Sequence, residues 1–185
     1  MQYKDQRVGV FVDIQNLYHS AKHLYSSRVN FGQLLKYIVG QRQLIRAIGY
    51  VVKSDTSLGE SARSEGARFA PKTPEATFFD ALEKGGMDLR IKDLQIFAGG
   101  AKKADWDVGM AVDAVRMASF LDVIVLVTGD GDFCPLVEYL KWGLGRQVEV
   151  VSFGRSTSAK LKEVADVYID LDKNQKILLR SKNIK

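Results

Sequence analysis

The sequence predicts an α/β fold of three layers, in which a mainly parallel central sheet lies between two layers of helices. Short apolar runs, typical of buried strands, alternate along the chain with segments of helical periodicity. The clearest run is Val123–Val127, five consecutive aliphatic residues, which is typical of a parallel strand covered on both faces. One such run leads directly into Asp13, and Val123–Val127 is followed within three residues by Asp130. Ligands bind at the carboxyl ends of the strands in sheets of this kind.

The first half of the chain is predicted to contain two strands, three helices and one long loop. In order these are a strand at Arg7–Asp13, a helix at 15–26, a helix at Phe31–Val39 capped by Asn30 and closed by Gly40, a strand at 44–52, and a helix from Pro74 or Glu75 to Lys84. Residues 53–73 are rich in Ser, Gly, Glu and Arg without periodicity, and we expect a long loop there.

The second half is predicted to continue the alternation of strands and helices. We expect a strand or hairpin at 87–97, a flexible basic loop at 99–103, a helix at 105–120, a strand at 122–128, a helix capped by Asp132, a strand at Gln147–Ser152, a helix at 156–163 and a last strand at 167–169. In the 105–120 helix the expected core-facing stripe is Val108, Ala111, Val112, Val115 and Ala118.

Composition and charge indicate one globular domain followed by a basic tail. The chain has 185 residues, of which 46% are hydrophobic and 26% charged, as in ordinary globular domains. The net charge is +5, and five basic residues without an acidic one follow Asp172, so residues 1–172 have no net charge. We predict a domain over 1–172 and a C-terminal tail over 173–185, which either binds phosphate backbones or only aids solubility.

The cysteine content and the N-terminus predict a cytoplasmic protein without a membrane partner. The single cysteine, Cys134, excludes an internal disulfide, which fits a reducing compartment. The first residues lack the apolar core of a signal peptide, and no apolar run is long enough to span a bilayer. There is no Gly-x-Gly-x-x-Gly or Walker A sequence, so a nucleotide cofactor is not expected.

Three acidic segments are the strongest functional signal in the chain. Asp13 ends the first strand, Asp105 and Asp107 open a helix, and Asp130 and Asp132 follow the 122–128 strand in a glycine-containing turn. If those two strands are neighbours, their carboxylates converge and repel each other unless a hard cation lies between them. Because oxygen ligands suit Mg²⁺ or Mn²⁺, we expect metal-dependent phosphoester chemistry. Helix capping alone would explain Asp105 or Asp132, but it does not explain Asp13.

Polar residues near these carboxylates are supporting candidates. Asn16, three residues after Asp13, either reaches the same site or only starts a helix. Asp113 lies about 120° around its helix from Asp107, so we expect it to act through water. The loop cations are either solvated or bind a nucleic-acid backbone, and these are Lys102, Lys103, Arg63 and Arg68.

The acidic segments, in this order and at these separations, resemble the NYN domain family of the PIN-like nuclease superfamily, and in particular its LabA-like branch. The matching motifs are Val-Asp13-Ile-Gln-Asn16-Leu, Lys103-Ala-Asp105-Trp-Asp107-Val-Gly-Met-Ala-Val-Asp113-Ala and Val-Thr128-Gly129-Asp130-Gly131-Asp132-Phe133. A similar closing segment, Ala165-Asp166-Val-Tyr-Ile-Asp170-Leu, extends the resemblance over residues 7 to about 172.

The resemblance implies a PIN-like α/β/α fold with an acidic pocket that binds Mg²⁺ or Mn²⁺ and cleaves RNA. By the family pattern the catalytic, metal-binding carboxylates are Asp13, Asp107, Asp130 and Asp132. The same pattern makes Asn16 and Thr128 supporting polar residues, and Asp105 an additional acid of this branch.

We therefore predict a metal-dependent ribonuclease that hydrolyses phosphodiester bonds of single-stranded RNA, with self-association into a homo-oligomer left open. The alternative is a regulatory or RNA-binding NYN-domain protein that keeps the acidic pocket without significant turnover. A phosphatase of the haloacid dehalogenase type also has an aspartate after its first strand. That chemistry needs Asp-x-Asp, however, and this chain has Asp13-Ile14-Gln15.

Overall fold

The structure of the protein, a computed structural model, describes residues 3–53, 73–93, 95–96, 102–103 and 105–180. Most of the loop predicted at 53–73, with Arg63 and Arg68, lies outside these residues. Within the described part the strands are β1 (Arg7–Asp13), β2 (Ser27–Val29), β3 (Gln43–Lys53), β4 (Asp88–Asp93), β5 (Gln95–Ile96), β6 (Lys102–Lys103), β7 (Val123–Val127), β8 (Gln147–Ser152), β9 (Val167–Asp170) and β10 (Leu178–Arg180).

The α-helices of the same residues fall close to their predicted positions. They are α1 (Ile14–Tyr25), α2 (Phe31–Val39), α3 (Pro74–Lys84), α4 (Asp107–Met117), α5 (Cys134–Glu138) and α6 (Ala159–Val164). α2 has the predicted ends, because the Asn30 side chain accepts the backbone N–H of Gln33 and Gly40 follows its last turn. Every described helix is too short or too polar to span a lipid bilayer.

A six-stranded parallel sheet forms the centre of the fold, in the strand order β4-β3-β1-β7-β8-β9. From β1 the chain builds the sheet in one direction through β3 and β4, and from β7 it builds in the other through β8 and β9. The order therefore reverses between β1 and β7, which are hydrogen-bonded neighbours. At such a reversal the helices leave opposite faces of the sheet, and a crevice opens at the carboxyl ends of the two strands.

Two apolar clusters cover the opposite faces of this sheet, which confirms the predicted three-layer α/β fold. Val8, Val10 and Val12 point to the face covered by α1, α2 and α3. Phe11 points to the other face, which is covered by α4, α5 and α6. All five residues of β7 are fully buried, as expected for a strand with helices on both sides.

The buried face of α4 differs from the predicted stripe. Ala118 is buried as predicted, together with Met110 and Ala114, and the predicted Ala111 and Val115 pack partly buried against the same cluster. Val108 and Val112, the other two residues of the predicted stripe, are 74% and 48% exposed. The helix carries apolar residues around most of its circumference, so its periodicity gave a weak directional signal. The residue before the helix, Trp106, is bonded to β3 through its indole N–H.

The segment predicted as a basic tail packs against the domain as far as β10. Ile177 is 1% exposed within the core cluster, and β10 pairs antiparallel with β2, a strand that was not predicted. The prediction of a tail considered only the charged residues after Asp172 and not the apolar residues among them. The predicted loop at 99–103 differs too, because Lys102–Lys103 pairs antiparallel with Gln95–Ile96. The domain limit at 172 stays a prediction.

Candidate active site

Asp13 stands at the point where β1 becomes α1, beside the crevice. Its carboxylate caps α1 by accepting the backbone N–H of Asn16 at 3.0 Å, so the aspartate that ends the strand also starts the helix. Burial raises the pKa of Asp13 above its ordinary value, the N–H of Asn16 lowers it, and the charges of Asp107 and Asp130 raise it further. Carboxylates from three separate segments of the chain therefore act on one another.

Asp107 brings the second segment to the same place. It occupies the first turn of α4, where the helix dipole favours negative charge. Burial raises the pKa of Asp107, and the charge of Asp130 raises it further, followed by those of Asp105 and Asp132. Asp107 is therefore within electrostatic range of Asp130, Asp105 and Asp132, as Asp13 is of Asp107 and Asp130.

The third segment is the turn that follows β7. Thr128 is fully buried, and its hydroxyl oxygen accepts the backbone N–H of Asp130 at 3.2 Å. The Asp130 carboxylate accepts the N–H of Asp132 at 3.0 Å and caps the short 3-10 turn Gly131–Phe133. The prediction that Asp132 is the cap is wrong. Asp130 is the capping residue, because a 3-10 turn, Gly131–Phe133, precedes α5.

Glycine is needed in this turn because a second loop packs closely on it. A Cβ on Gly129 would lie 2.8 Å from the carbonyl oxygen of Ser156, and one on Gly131 would lie 2.8 Å from the hydroxyl of Ser158. The backbone N–H of Ser158 also donates to the Gly129 carbonyl at 2.9 Å. The loop before α6 therefore supports the turn that carries Asp130.

Asn16 connects the first and third segments across the crevice. Its side-chain oxygen accepts the backbone N–H of Gly129 at 3.1 Å, while its own backbone N–H is bonded to Asp13. The first partner, Asp13, is a predicted catalytic residue, and the second, Gly129, directly precedes another, Asp130. Asn16 does reach the predicted site, and it does so as a bridge within the protein.

Trp106 fixes the second segment, and sequence reasoning missed it. Its indole N–H donates to the carbonyl of Val51 at 2.9 Å, and its ring lies 5.5 Å from that of Tyr50, centroid to centroid. On the same indole, the Lys92 ammonium lies 5.5 Å from the ring and also donates to the Asp105 carbonyl at 3.2 Å. The sequence signal that could have identified Trp106 is its position between two aspartates, Asp105 and Asp107, at the start of a helix.

Asp113 is directed to a different set of partners. Its carboxylate accepts the Tyr50 hydroxyl at 3.1 Å and faces the Arg90 guanidinium at 3.4 Å. Burial raises the pKa of Tyr50, with a further contribution from the Asp113 charge. Asp113 is not among the charges that shift the pKa of Asp13 or Asp107, so the structure does not bring it to the carboxylate group.

The role predicted for the four cations stays a prediction. The backbone of Lys102 and Lys103 lies in β6, and Arg63 and Arg68 lie outside the described residues. A cation that sequence reasoning missed is Lys160, in the first turn of α6. Lys160 follows Ser158 by two residues, and the Ser158 hydroxyl packs on Gly131 of the turn after β7. Burial raises the pKa of Cys134 in the same region, and the Lys160 charge lowers it.

The donor set of the site is composed of oxygen, which suits a hard divalent cation. Burial is the main cause of the raised pKa of Asp13 and Asp107, and a bound cation would relieve the repulsion between carboxylates that adds to it. Among the residues that the structure describes, however, no three His, Cys, Asp or Glu side chains form a group able to hold a metal ion as they stand. The carboxylates share one edge of the sheet without closing into a ligand cage.

Comparison with known proteins gives results that agree with this architecture. The NYN domain model matches residues 7–172. The low amplitude and bright protein LabA of Synechococcus elongatus is 25% identical over 183 residues, which cover 93% of this chain and 87% of that protein. The crystal structure of VPA0982, a protein of unknown function from Vibrio parahaemolyticus, is 27% identical with a TM-score of 0.78, and the match covers 97% of this chain and 100% of that one. Because the match extends over nearly the whole described fold and includes all three acidic segments, the chain belongs to the NYN domain family.

Proposed function

We propose that this protein is a divalent-metal-dependent ribonuclease that hydrolyses RNA phosphodiester bonds at the crevice between β1 and β7. Membership of the NYN family indicates a nuclease-like or RNA-related role, and the PIN-like superfamily generally uses divalent metals. The observation that carries the proposal is the convergence of Asp13, Asp107 and Asp130 at the crevice, where burial, and after it the charge of Asp130, raises the pKa of both Asp13 and Asp107.

The side chains that would hold Mg²⁺ or Mn²⁺ are those of Asp13, Asp107, Asp130 and Asp132. Bound there, such a cation supplies Lewis acidity, which lowers the pKa of a water molecule and stabilises negative charge on the phosphate. No histidine or cysteine of the described site is placed as a nucleophile, since Cys134 is buried in the core. Water is therefore the proposed attacking group.

The chain prepares this site through bonds made before any ligand arrives. The N–H of Asn16 orients the Asp13 carboxylate, and the N–H of Asp132 orients that of Asp130. Trp106 holds the start of α4, and with it Asp107, against the end of β3. Such preorganisation lowers the cost of arranging charged groups during the reaction.

The test is cleavage of a labelled, mixed-sequence single-stranded RNA with Mn²⁺, Mg²⁺ or EDTA. The informative variant is Asp130→Asn, which removes a charge but keeps the oxygen that accepts the Asp132 N–H. Asp88→Asn is the matched control, because Asp88 is an exposed aspartate at the start of β4, paired with Arg46. We expect metal-dependent cleavage by the wild type and by the control only. Wild-type rates from Asp130→Asn would contradict the assignment.

A second candidate is an RNA-binding or regulatory protein without significant turnover. It is favoured by the open arrangement of the carboxylates, since no three ligating side chains of the described residues form a metal group. RNA binding that persists in EDTA and in Asp130→Asn, with no cleavage in either metal, would favour this second function.

A further inference from the structure

A cavity of about 650 Å³ lies on the face of the sheet covered by α1, α2 and α3, and its lining begins at Ile14, the residue after Asp13. Its walls come from the first turns of α1, the end of β3, the start of α2 and one side of α3. We call it the α1–α3 cavity. Its volume is in the range of small-molecule sites.

Aromatic rings form much of the wall of the α1–α3 cavity. The ring centroid of Phe78 lies 6.4 Å from that of Tyr18, 6.1 Å from that of Phe31 and 6.2 Å from that of Phe79. Tyr18, Phe78 and Phe79 are only partly buried, so their rings remain accessible. A cluster of aromatic faces around an open space suits a flat, conjugated ligand that stacks.

Polar side chains lie around the same space. Gln15, His19 and Arg28 line the cavity. Among the described residues, no hydrogen bond or ion pair engages the side chains of Gln15 and Arg28, so an amide and a guanidinium are available to a ligand. An amide reads the donors and acceptors of a base edge, and a guanidinium binds phosphate.

The cavity and the acidic site share part of their structure. The backbone N–H of Gln15 acts on the Asp13 carboxylate, while the Gln15 side chain lines the cavity. Val51 lines the cavity too, and its carbonyl accepts the indole N–H of Trp106, which holds Asp107. Asp13 and Gln15 are two positions apart along the chain, a span of about 7 Å at most.

We propose that the α1–α3 cavity binds an unpaired nucleobase of an RNA strand whose phosphate lies at the acidic site. This inference rests on the proposed function and adds a source of affinity and selectivity to it. The base stacks on Tyr18 and Phe78, the Gln15 amide contacts its edge, and Arg28 contacts an adjacent phosphate. Because a paired base cannot leave its stack without cost, the cavity selects single-stranded RNA over duplex.

The test measures binding of a single-stranded RNA that contains 2-aminopurine, by fluorescence and anisotropy, in Ca²⁺ and separately in EDTA, with strand integrity checked. Tyr18→Ala removes a stacking face and is expected to weaken binding between about 5-fold and about 150-fold. Tyr18→Phe keeps the ring and is expected to bind like the wild type. Tyr37→Ala is the matched control, because Tyr37 is a 48% exposed tyrosine on α2 that does not line the cavity.

Two further measurements keep the inference falsifiable if Tyr18→Ala proves unstable. Gln15→Ala leaves the backbone N–H in place and is expected to weaken binding several-fold. A strand of the same length with abasic sugars is expected to bind the wild type no better than the normal strand binds Tyr18→Ala. Equal affinity of all variants, equal affinity for the abasic strand, or absence of RNA binding by the wild type in both conditions would overturn the inference.

This experiment and the cleavage assay can fail independently. Cleavage that persists while affinity is independent of bases and of Tyr18 refutes the cavity and leaves the nuclease proposal intact. Affinity that depends on bases and on Tyr18, without cleavage in Mn²⁺ or Mg²⁺, supports the cavity and contradicts the nuclease proposal.

Discussion

Asn16→Ala tests how the acidic edge is assembled, because this side chain joins the two halves of the crevice. The Asn16 oxygen accepts the N–H of Gly129, one residue before Asp130, and the Asn16 N–H is bonded to Asp13. The substitution removes the first bond and leaves the second in place. It therefore separates the connection across the crevice from the capping of α1.

The magnitude follows from the burial of the orphaned donor. Gly129 is buried, so its N–H loses its partner where water has little access. Leaving such a donor unsatisfied costs about 1–3 kcal/mol. At about 2–4 °C per kcal/mol for a chain of this size, the expected fall in Tm is about 2–12 °C. A displacement of Asp130 relative to Asp13 by even part of an ångström is expected to reduce cleavage about 10- to 100-fold.

Thermal unfolding by circular dichroism and the RNA cleavage assay measure these two effects on one sample. Asn174→Ala is the matched control, since the Asn174 side chain also accepts a backbone N–H, that of Lys176, at a site remote from the carboxylates. We expect the control to lower Tm slightly and to leave cleavage unchanged. Unchanged Tm together with unchanged cleavage in Asn16→Ala would refute the reasoning that this bond holds the two halves in register.

Three other perturbations have definite expected results. Glu149→Gln leaves the Arg42 guanidinium, 1% exposed, without its charged partner, and we expect a loss of about 3–5 kcal/mol in urea unfolding; a loss below 1 kcal/mol would contradict this. Asp13→Asn keeps the cap of α1 but removes a carboxylate whose pKa is raised on folding. A raised pKa stabilises the folded protein below the unfolded-state pKa, and this stabilisation is lost as pH rises through the folded-state pKa. In EDTA the Tm of the wild type should thus rise on acidification through that range. Asp13→Asn should show a smaller rise, because the raised pKa of Asp107 remains, and should be the more stable at neutral pH; the reverse order would contradict the reasoning. Mn²⁺ at about 100 times its Kd should stabilise the wild type by about 2.7 kcal/mol, and Asp130→Asn by much less, in thermal melts; equal shifts would exclude Asp130 as a ligand.

The parts of the fold that could be predicted are those in which local pattern and backbone geometry agree. Val123–Val127 could only be a strand with both faces covered, and Asn30 and Gly40 mark the ends of α2 by capping chemistry. The convergence of Asp13 and Asp130 was conditional on β1 and β7 being neighbours. That order depends on packing between residues more than 100 positions apart, which no local pattern encodes.

The parts that could not be predicted depend on single long-range contacts. Trp106 at the start of α4 is bonded to Val51, which lies 55 positions away along the chain, and Val108 is exposed. Asp113 is directed toward Tyr50 and Arg90. Both partners are far from Asp113 along the chain, so no local pattern predicts these contacts. In each case the contact between the two residues depends on the tertiary fold and cannot be predicted from the local sequence.

The distribution of charge limits how this protein can recognise RNA. Residues 1–172 carry 22 basic and 22 acidic side chains, and the described carboxylates gather at the crevice where a phosphate would have to approach. Binding that relied on phosphate neutralisation would need a basic surface at that edge, because release of counterions supplies its free energy. An acidic edge on a neutral body therefore requires affinity from elsewhere, through a bound cation or through contacts to the bases. The aromatic residues of the α1–α3 cavity, whose lining begins at Ile14, directly after Asp13, meet the second requirement.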